Sequence, residues 1–578
     1  MLAVLALSAC SPPVVTPDGG TPPPRDSGMP PPVDSGVPDA GDATAAIFAP
    51  DHLVDVRIEL AAADWETMRN QTRNLFTLLT GDCTSQPFPS PFTTFNAVAT
   101  VDGKRLEQTT IKKKGFIGSL STNRPSLKLK FDDFIADQEV SGVDSLTLNN
   151  AQQDPSIVRQ CLGYALFTKA GIPAPRCNFA HVFVNGVDLG VYAHVEGIDK
   201  DLLKRHFEKK GGNLYEGTLS DFNTTYINTF DLKDDKTDRT DLNQVLAAMT
   251  VSDAMLVSRL EAVINLDEFI DFWAMETLVR HWDGYAGNTN NFFIYDDPTT
   301  NRFFFIPWGA DAVFHTGPVT VDQPEGPMLR GELPRRLYAI PEIRARYLAR
   351  IQTFLTTVFD EAQLNAEITR MQALITPYLH PIQVGQFAQG LTEVRGFVNM
   401  RRARLTALLA TPPATTPGPR SSPCMKQLGT FSSDFSTTWG TLGAMNPFAT
   451  GPATFDLQLD GGVPPFFLTG ASGGLDTSGN DGAKVGINLV AAHADGGFTA
   501  AVIRINPGVY PPPNSNGVPF DLFANVGYVL QFSGGQVVPV ALFGTGTLSL
   551  TDAGVGDGGV MSGSVRTELV SWPFGGGM

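Results

Sequence analysis

The sequence lacks three features that would point to particular classes of protein. No apolar run in its 578 residues approaches the roughly 18 residues of a membrane-spanning helix. The five cysteines include no CxxC pair, and no His-rich spacing accompanies them, so nothing indicates a zinc site. Positive charge is also scarce, because 42 Lys and Arg face 59 Asp and Glu, giving a net charge of −17. This acidity argues against nucleic acid as the main partner.

The first ten residues contain a short apolar segment that ends in Leu-Ser-Ala-Cys. It resembles the lipobox of bacterial lipoproteins, although no Lys or Arg precedes it, as a signal peptide would normally require. We therefore expect residues 1–10 to be a lipoprotein signal peptide, with Cys10 lipidated and serving as the membrane anchor. The residue after the cysteine, Ser11, indicates the outer membrane or the cell surface. The alternative is that Cys10 is an ordinary cysteine.

Residues 11–45 are rich in Pro, Gly, Ser, Asp and Thr. Such a composition cannot build a packed core and is typical of a disordered, partly extended tether. Placed directly after a lipidated cysteine, it would hold a folded domain away from a membrane surface.

The chemistry is concentrated in residues 281–311. His281, Asp283 and Asn288 have the spacing H-x-D-x₄-N, and two Phe-rich strands at 291–296 and 302–307 follow, joined by a turn. Because the two arms of a hairpin are of similar length, Asp311 should return to the place from which the chain left. Asp283, Asn288 and Asp311 are therefore expected to converge.

This order of residues suits phosphoryl transfer. One Asp accepts or orients the proton of the nucleophile, while an Asn and a second Asp hold Mg²⁺ against the phosphates. Carboxylate and amide oxygens are ligands that a hard cation prefers. The alternative is an Asn- and Asp-rich loop that merely caps a hairpin.

Strand-like segments at 52–60, 96–101 and 109–114 precede a Gly- and Ser-rich loop. After this loop, residues 127–131 alternate, so that Lys128 and Lys130 share one face of a strand. A lysine in this position is where kinase-like folds bind phosphate. The alternative is that both lysines only solvate an outer face.

The remaining pattern predicts a helix over 154–170, capped by Asp154 and ended by Gly171, and then a hairpin around Asn185-Gly186. Helices follow at 200–210, 241–260 and 267–280, and three more lie between 341 and 409. The fold class is therefore α+β. Residues 46–410 are expected to form a domain with a β-rich first lobe, a helical second lobe and a cleft between them.

This stretch resembles the CotH family of spore-coat-protein-H kinase-like proteins. The resemblance rests on motifs in the same order: Lys114-Gly115 with the following serines, 125–131, 146–149 with Asp154, 184–192 with Glu196, 213–215, Asp283 with Asn288, 305–311 and the helix around 395–401.

The resemblance implies that residues 46–410 form an atypical protein-kinase-like two-lobe domain. It also implies a kinase that uses ATP with Mg²⁺ or Mn²⁺ and phosphorylates Ser or Thr of secreted or surface proteins. By position, Asp283 would be the catalytic residue and Lys128 would bind the nucleotide phosphates. Glu196 matches a recurrent glutamate of the family and is grouped with the nucleotide site. Asn288 and Asp311 would hold the metal.

Two departures from the family pattern stand against this reading. Many members have Asp where this chain has Gly309, and the helix that should supply a Glu partner for Lys128 carries Gln160 instead. Either change could weaken metal binding or mark a degraded enzyme. The second hypothesis is therefore an inactive kinase-like scaffold that acts as a surface adhesion or structural protein.

Residues 411–423 have the composition of a linker, and 424–578 are predicted to form an all-β sandwich of unknown role. Four acidic residues in its Gly-rich turns could bind Ca²⁺, but such residues are also ordinary turn-formers: Asp476, Asp481, Asp552 and Asp557. Four cysteines besides Cys10 could form disulfides in an oxidising compartment, and the sequence leaves their pairing open: Cys83, Cys161, Cys177 and Cys424.

Overall fold

The computed structural model describes residues 42–233, 237–315, 325–477, 483–510, 517–522 and 524–573. The described residues belong to one compact unit. Both helices and sheets are abundant, so the fold is α+β, as predicted. None of the helices in the described ranges combines the length and the apolar character that crossing a membrane requires.

The N-terminal part is a closed barrel of seven strands in the order β1-β2-β3-β4-β5-β7-β6. The strands are β1 Leu53–Glu59, β2 Thr94–Val101, β3 Lys104–Lys114, β4 Ser126–Lys130, β5 Ser145–Asn149, β6 Cys177–Val184 and β7 Val187–Val195. Three helices lie between them in the sequence: α1 Ala62–Asn70, α2 Leu75–Leu79 and α3 Arg159–Lys169. Strand β4 shows the expected alternation, since Leu127 and Leu129 are fully buried in the barrel core while Lys128 and Lys130 point the other way.

The second part combines a four-stranded sheet in the order β11-β10-β8-β9 with a group of helices. Its elements are α4 Lys200–His206, β8 Leu214–Gly217, β9 Asp231–Leu232, α5 Thr240–Ala248, α6 Asp253–Leu260, α7 Leu266–Val279, α8 Tyr285–Asn288, β10 Phe292–Asp297, β11 Arg302–Pro307, α9 Glu332–Ala339, α10 Pro341–Thr357, α11 Glu361–Ile375 and α12 Pro381–Ala410. The largest hydrophobic core of the molecule lies here, and α7 contributes nine buried residues to it. The predicted hairpin is present, with Phe292 opposite Pro307 and Asp297 opposite Arg302.

Two predicted helices have other bounds in the structure. The helix expected over 154–170 begins at Arg159, because both carboxylate oxygens of Asp154 cap a preceding turn and accept from the backbone N–H of Ser156 (3.0 Å) and of Arg159 (2.9 Å). The helix expected over 241–260 is interrupted after Ala248, and Ser252 with its extended backbone precedes the next helix.

The C-terminal part is all-β, but it is not the predicted sandwich. Its strands form one antiparallel sheet in the order β13-β12-β20-β19-β18-β16-β15-β14, with β17 paired to β19. They are β12 Gln427–Thr438, β13 Asp456–Leu459, β14 Phe466–Asp476, β15 Lys484–His493, β16 Phe498–Ile505, β17 Val518–Pro519, β18 Val526–Ser533, β19 Gln536–Ala553 and β20 Val560–Val570. The sheet curls, so that Trp439 at the end of β12 bridges Gly473 of β14, and the core is enclosed by one sheet instead of two.

Helix α2 belongs to the core of this C-terminal sheet, although it lies near the start of the sequence. Its residues Phe76 and Leu79 are buried in the same cluster as Phe431 and Phe543. A disulfide between Cys83 and Cys424 joins the same two regions across 341 residues of sequence, and a second disulfide joins Cys161 to Cys177.

We expect the double substitution Cys83→Ser, Cys424→Ser to lower the free energy of unfolding by about 2–5 kcal/mol, because the bridge closes a very long loop of the unfolded chain. The matched control is Cys161→Ser, Cys177→Ser, which opens a loop of only 16 residues and should cost less. Denaturant unfolding without reductant measures both. A larger loss from the short loop would contradict the chain-entropy argument.

Candidate active site

A cavity of about 1140 Å³ is lined by barrel strands β3 to β5, by the loop that follows α7 and by the C-terminal sheet. Ligand pockets typically enclose about 300–1,000 Å³, so the cavity has room for a nucleotide. The structure brings four of the sequence-predicted site residues together on its wall: Lys128, Asp283, Asn288 and Asp311.

A buried glutamate, Glu276, holds the loop that follows α7. Arg280 ends the helix in a left-handed conformation, and Glu276 then accepts from the backbone N–H of Tyr285 (2.7 Å) and of Ala286 (2.8 Å). Burial raises the pKa of Glu276 to about 8. His281 is buried, and burial lowers its pKa to about 4, so this side chain supports the loop and does not face the cavity.

Asp283 is held by three asparagine side chains of the same loop. The Nδ2 groups of Asn288 and Asn291 each donate to its carboxylate at 2.7 Å, and Asn290 donates at 3.3 Å. Burial raises the pKa of Asp283, and these amide hydrogen bonds oppose the rise. The carboxylate is therefore fixed in direction, as a residue that accepts a proton from a bound hydroxyl must be.

Asp311 reaches the same place from the other end of the hairpin. It lies in the short 3₁₀ helix Ala310–Ala312, directly after β11. The pKa of Asp311 is raised to about 6, mainly by burial and in addition by the negative charges of Asp154 and Asp283. Asp311 and Asp283 line the same cavity, which is the convergence that the returning hairpin predicted.

The donor set is suited to a divalent cation. Asn288 offers an amide oxygen and Asp311 a carboxylate on the same cavity wall. Oxygen donors of this kind match Mg²⁺ and Mn²⁺. A cation held by these two residues would lower the pKa of Asp311, which burial and the neighbouring carboxylates raise. Within the described residues, no group of three His, Cys, Asp or Glu side chains is placed to hold a metal ion.

The Gly- and Ser-rich loop after β3 forms another wall of the cavity. Gly115 has a φ of +123°, and a Cβ at this position would lie 2.4 Å from the Oγ of Ser119. The side chain of Asn150 donates to the carbonyl of Ser119 at 2.9 Å and so holds the loop against β5. Close-approaching backbone of this kind is what a phosphate-binding loop requires.

The lysine that sequence reasoning missed is Lys114, the last residue of β3. Its ammonium donates to Asn149 Oδ1 at 2.5 Å and lies over the ring of Trp308, 5.3 Å from the centroid. Burial lowers its pKa to about 8, with Asp311 and Glu216 acting in the opposite direction. Lys128 also lines the cavity, opposite Lys112 in the barrel, and like Lys114 it is half-buried.

Gln160 is joined to Lys114 through Asn149 and lies near Asp311. Asn149 accepts from the Lys114 ammonium and donates through Nδ2 to Gln160 Oε1 at 2.9 Å. The Gln160 side chain is close enough to Asp311 to oppose the rise of its pKa. Gln160 stands on α3, where the sequence showed no Glu to pair with a lysine, so an uncharged side chain occupies this place.

Glu196, grouped with the nucleotide site on sequence, does not lie on the cavity wall. Its carboxylate is 3% exposed and is held between the guanidinium groups of Arg205 and Arg176, the latter at 2.6 Å. It also accepts from the backbone N–H of Arg176 at 2.9 Å. Its hydrogen-bonding capacity is used by these arginines, so we assign it a structural role.

Gly309 occupies a left-handed position, with φ +49°, between β11 and Asp311. A Cβ there would lie 2.4 Å from the Oδ1 of Asn291, the same side chain that donates to Asp283. An Asp at 309 would therefore require Asn291 to move. In this chain Asn291 fills the space, which accounts for the departure from the family pattern.

Other predicted sites lie elsewhere. Cys10, nearly all of the tether and Asp481 fall outside the described residues. Asp476 accepts from Arg504 Nε at 2.5 Å, and Asp552 bonds Ser562, so both have partners within the sheet.

Comparison with known proteins identifies relatives that match part of the chain. Inner spore coat protein H of Bacillus subtilis is 24% identical over 257 residues, which cover 41% of this chain and 69% of that protein. Invasin CotH7 of Rhizopus delemar is 22% identical over 256 residues, covering 40% of this chain and 42% of the fungal protein. The chain thus spans less than half of this fungal relative.

Two solved structures align in part. A proinflammatory kinase of Helicobacter pylori covers 49% of this chain and 94% of its own length, with 10% identity and a TM-score of 0.27. HipA of Shewanella oneidensis MR-1, in a complex with HipB and operator DNA, covers 62% and 74%, with 12% identity and a TM-score of 0.29. Scores this low carry no argument about the fold.

The family model described as CotH kinase protein matches residues 111–404. This range begins within β3, includes Lys114, Asp283, Asn288 and Asp311, and ends within α12. It covers just over half of the chain, and the chain therefore belongs to the CotH kinase protein family.

Proposed function

We propose that this chain is a surface-tethered kinase that transfers the γ-phosphate of ATP to Ser or Thr hydroxyls of secreted or surface proteins. The observation that carries the proposal is the convergence of Asp283, Asn288 and Asp311 with Lys114 and Lys128 on one cavity of nucleotide size. Acidic metal ligands beside basic phosphate ligands are the parts that phosphoryl transfer requires.

Each residue has a role that follows from its surroundings. Asp283, oriented by Asn288 and Asn291, accepts the proton of the acceptor hydroxyl as its oxygen bonds the γ-phosphorus and the bond to ADP breaks. Lys114 and Lys128 bind phosphate oxygens. The oxygens of Asn288 and Asp311 would hold Mg²⁺ or Mn²⁺, which neutralises charge on the phosphates when bound.

The location at the surface is supported by the relatives' names, a spore coat protein and an invasin. It also rests on the sequence-based expectation that Cys10 is lipidated and that residues 11–45 form a tether. In this proposal the partners are the membrane, through the lipid, and an exported protein substrate.

The fungal relatives and two features of the site favour an alternative function, a surface adhesion scaffold. Invasins are named for a binding role, and both Gly309 and Gln160 replace acidic residues expected in an active member. We prefer the enzyme because the acidic and amide residues still line one cavity together with Lys114 and Lys128.

The proposal is tested by incubating the purified chain with Mn²⁺, dephosphorylated casein as the probe acceptor, and ATP labelled at the γ-phosphate. Label on Ser or Thr that depends on Asp283 is the expected result. A parallel reaction with α-labelled ATP distinguishes AMP transfer. Absence of label on both casein and the chain itself would favour the scaffold.

A further inference from the structure

A residue beyond the family-matched range reaches the loop that carries Asp283. Arg420 lies in the segment predicted as a linker. Its Nη1 donates to the backbone oxygen of Asn288 at 2.8 Å and to the Thr289 hydroxyl, and its Nη2 lies 3.3 Å from Asn288 Oδ1. One guanidinium therefore holds both the main chain and the side chain of a proposed metal ligand.

The turn that Arg420 holds is conformationally costly. Thr289 has a φ of +54°, and Asn291 has a φ of +50°. A β-branched residue rarely adopts this left-handed conformation, and such strain persists only where the surrounding structure over-determines it. The hydrogen bonds from Arg420 to Asn288 and Thr289 are made at this point of the turn, so they help to hold the strained backbone in place.

The segment around Arg420 is itself fixed. The guanidinium lies over the ring of Tyr226, 5.4 Å from the centroid, and the Tyr226 hydroxyl donates to the carbonyl of Ser421 at 2.5 Å. Four residues after Arg420, Cys424 is bridged to Cys83. The position of Arg420 is thus set by the second part of the molecule and by the start of the C-terminal sheet together.

Asn288 has hydrogen-bonding capacity for both of its partners and a cation. Its Nδ2 donates to Asp283, while its Oδ1 has two lone pairs, of which Arg420 engages one. Rotation of the Asn288 amide would exchange Oδ1 and Nδ2 and turn a donor toward the cation. The contact of Oδ1 with Arg420 opposes this rotation, because it would bring two donors together. The arginine does not line the cavity, so it acts through Asn288 and not on a bound ligand.

We propose that Arg420 is a positioning residue of the candidate active site, which sets the strained turn at Asn288 and Thr289 for a divalent cation with a nucleoside triphosphate. The segment that leads into the C-terminal sheet is then part of the site and not a passive linker. The inference rests on the proposed function for its ligand, but the ordering of the turn can be measured without any ligand.

The test uses the purified chain and the variants Arg420→Ala and Arg420→Lys, with Arg566→Ala as the matched control. Arg566 lies in the C-terminal sheet and pairs with the exposed Asp434. Amide hydrogen exchange of residues 284–291 is followed without metal or nucleotide, and the Kd of ATP is measured with Mn²⁺. Loss of a residue that orients a metal ligand typically weakens metal affinity about 10- to 100-fold.

We expect Arg420→Ala to speed exchange at residues 284–291 by about tenfold or more while exchange in the C-terminal sheet stays unchanged, and to weaken Mn²⁺-dependent ATP binding by about tenfold. Arg420→Lys keeps the positive charge but lacks the planar guanidinium, so its exchange rate and ATP affinity should lie between those of the parent chain and Arg420→Ala. If Arg420→Ala does not fold, Arg420→Lys provides the test in its place. Arg566→Ala should match the parent chain in both measurements.

Unchanged exchange and affinity in Arg420→Ala would overturn the inference, as would faster exchange spread evenly over the whole C-terminal sheet. If the parent chain bound no ATP with Mn²⁺, the proposed function would fail. The exchange measurement would still decide whether Arg420 positions the turn.

Discussion

Replacement of Asp283 by asparagine is expected to lower the rate of phosphate transfer by about 10²–10⁴-fold, the usual contribution of a positioned base. The amide cannot accept the proton of the hydroxyl. In the parent chain the Nδ2 groups of Asn288 and Asn291 donate to the Asp283 carboxylate. In the variant, one oxygen of that carboxylate is replaced by an NH₂ group, which cannot accept these hydrogen bonds. The measurement is the initial rate of γ-phosphate transfer to casein at saturating ATP and Mn²⁺.

The loss of acceptors in Asp283→Asn should also lower the free energy of unfolding by about 1–3 kcal/mol, so folding must be checked by denaturant unfolding. The matched control is Asp267→Asn, because Asp267 is 80% exposed and pairs only with Arg346 on the surface, so transfer should remain near the parent rate. A folded Asp283→Asn variant that keeps the parent rate would remove Asp283 from the mechanism.

The second large effect is expected at Lys114. Substitution by methionine should reduce phosphate transfer by about 10²–10³-fold, the range seen when a group that stabilises transition-state charge is removed. Lys114 is held by Asn149 and Trp308, and the charge of Asp311 acts on it, so its ammonium is fixed on the cavity wall where phosphate oxygens would lie.

Lys128→Met and Lys130→Met provide the comparison for Lys114→Met. The contacts with Asn149 and Trp308 that hold the ammonium belong to Lys114 and not to Lys128, so we expect a loss of about tenfold or less from Lys128→Met. Lys130 pairs with Asp133 at the surface, and its replacement should have little effect. Rates and ATP affinities of the three variants decide the assignment. A greater loss from Lys128→Met than from Lys114→Met would return the phosphate-binding role to Lys128.

The sequence was sufficient to predict the meeting of Asp283 and Asp311. Two strands joined by a short turn must return the chain to its starting point, and the register of β10 and β11 shows this return. The alternation around Lys128 was equally readable, since a strand with one buried face has a period of two.

Lys114 could not be chosen from the sequence because it is the last of three consecutive lysines, 112–114. In such a run, polar and apolar residues do not alternate, so the pattern does not show which lysine faces the cavity. The side chains that enclose Lys114, those of Asn149 and Trp308, come from a later strand and from beyond the hairpin. Glu196 was grouped with the wrong site for the same reason, because its two arginine partners are apparent only in the folded chain.

The C-terminal sheet was predicted as a sandwich because alternating strands separated by turns do not show how a sheet closes. Its contribution to the cavity was also hidden, since Tyr528 and Trp572 reach the wall from a part of the chain that carries no catalytic motif. Contacts of this kind depend on packing between α2 and the sheet, which periodicity along the chain does not encode.

The most direct test of the account is metal-dependent nucleotide binding by the purified chain and by Asp311→Ala, followed as the change in unfolding temperature with ATP and Mg²⁺ or Mn²⁺. A ligand that binds only the folded state adds about 2.7 kcal/mol at a hundredfold excess over Kd. The account predicts a stabilisation by ATP that needs the metal and is lost in Asp311→Ala. No stabilisation at millimolar ATP with either metal, or an equal one in Asp311→Ala, would contradict it.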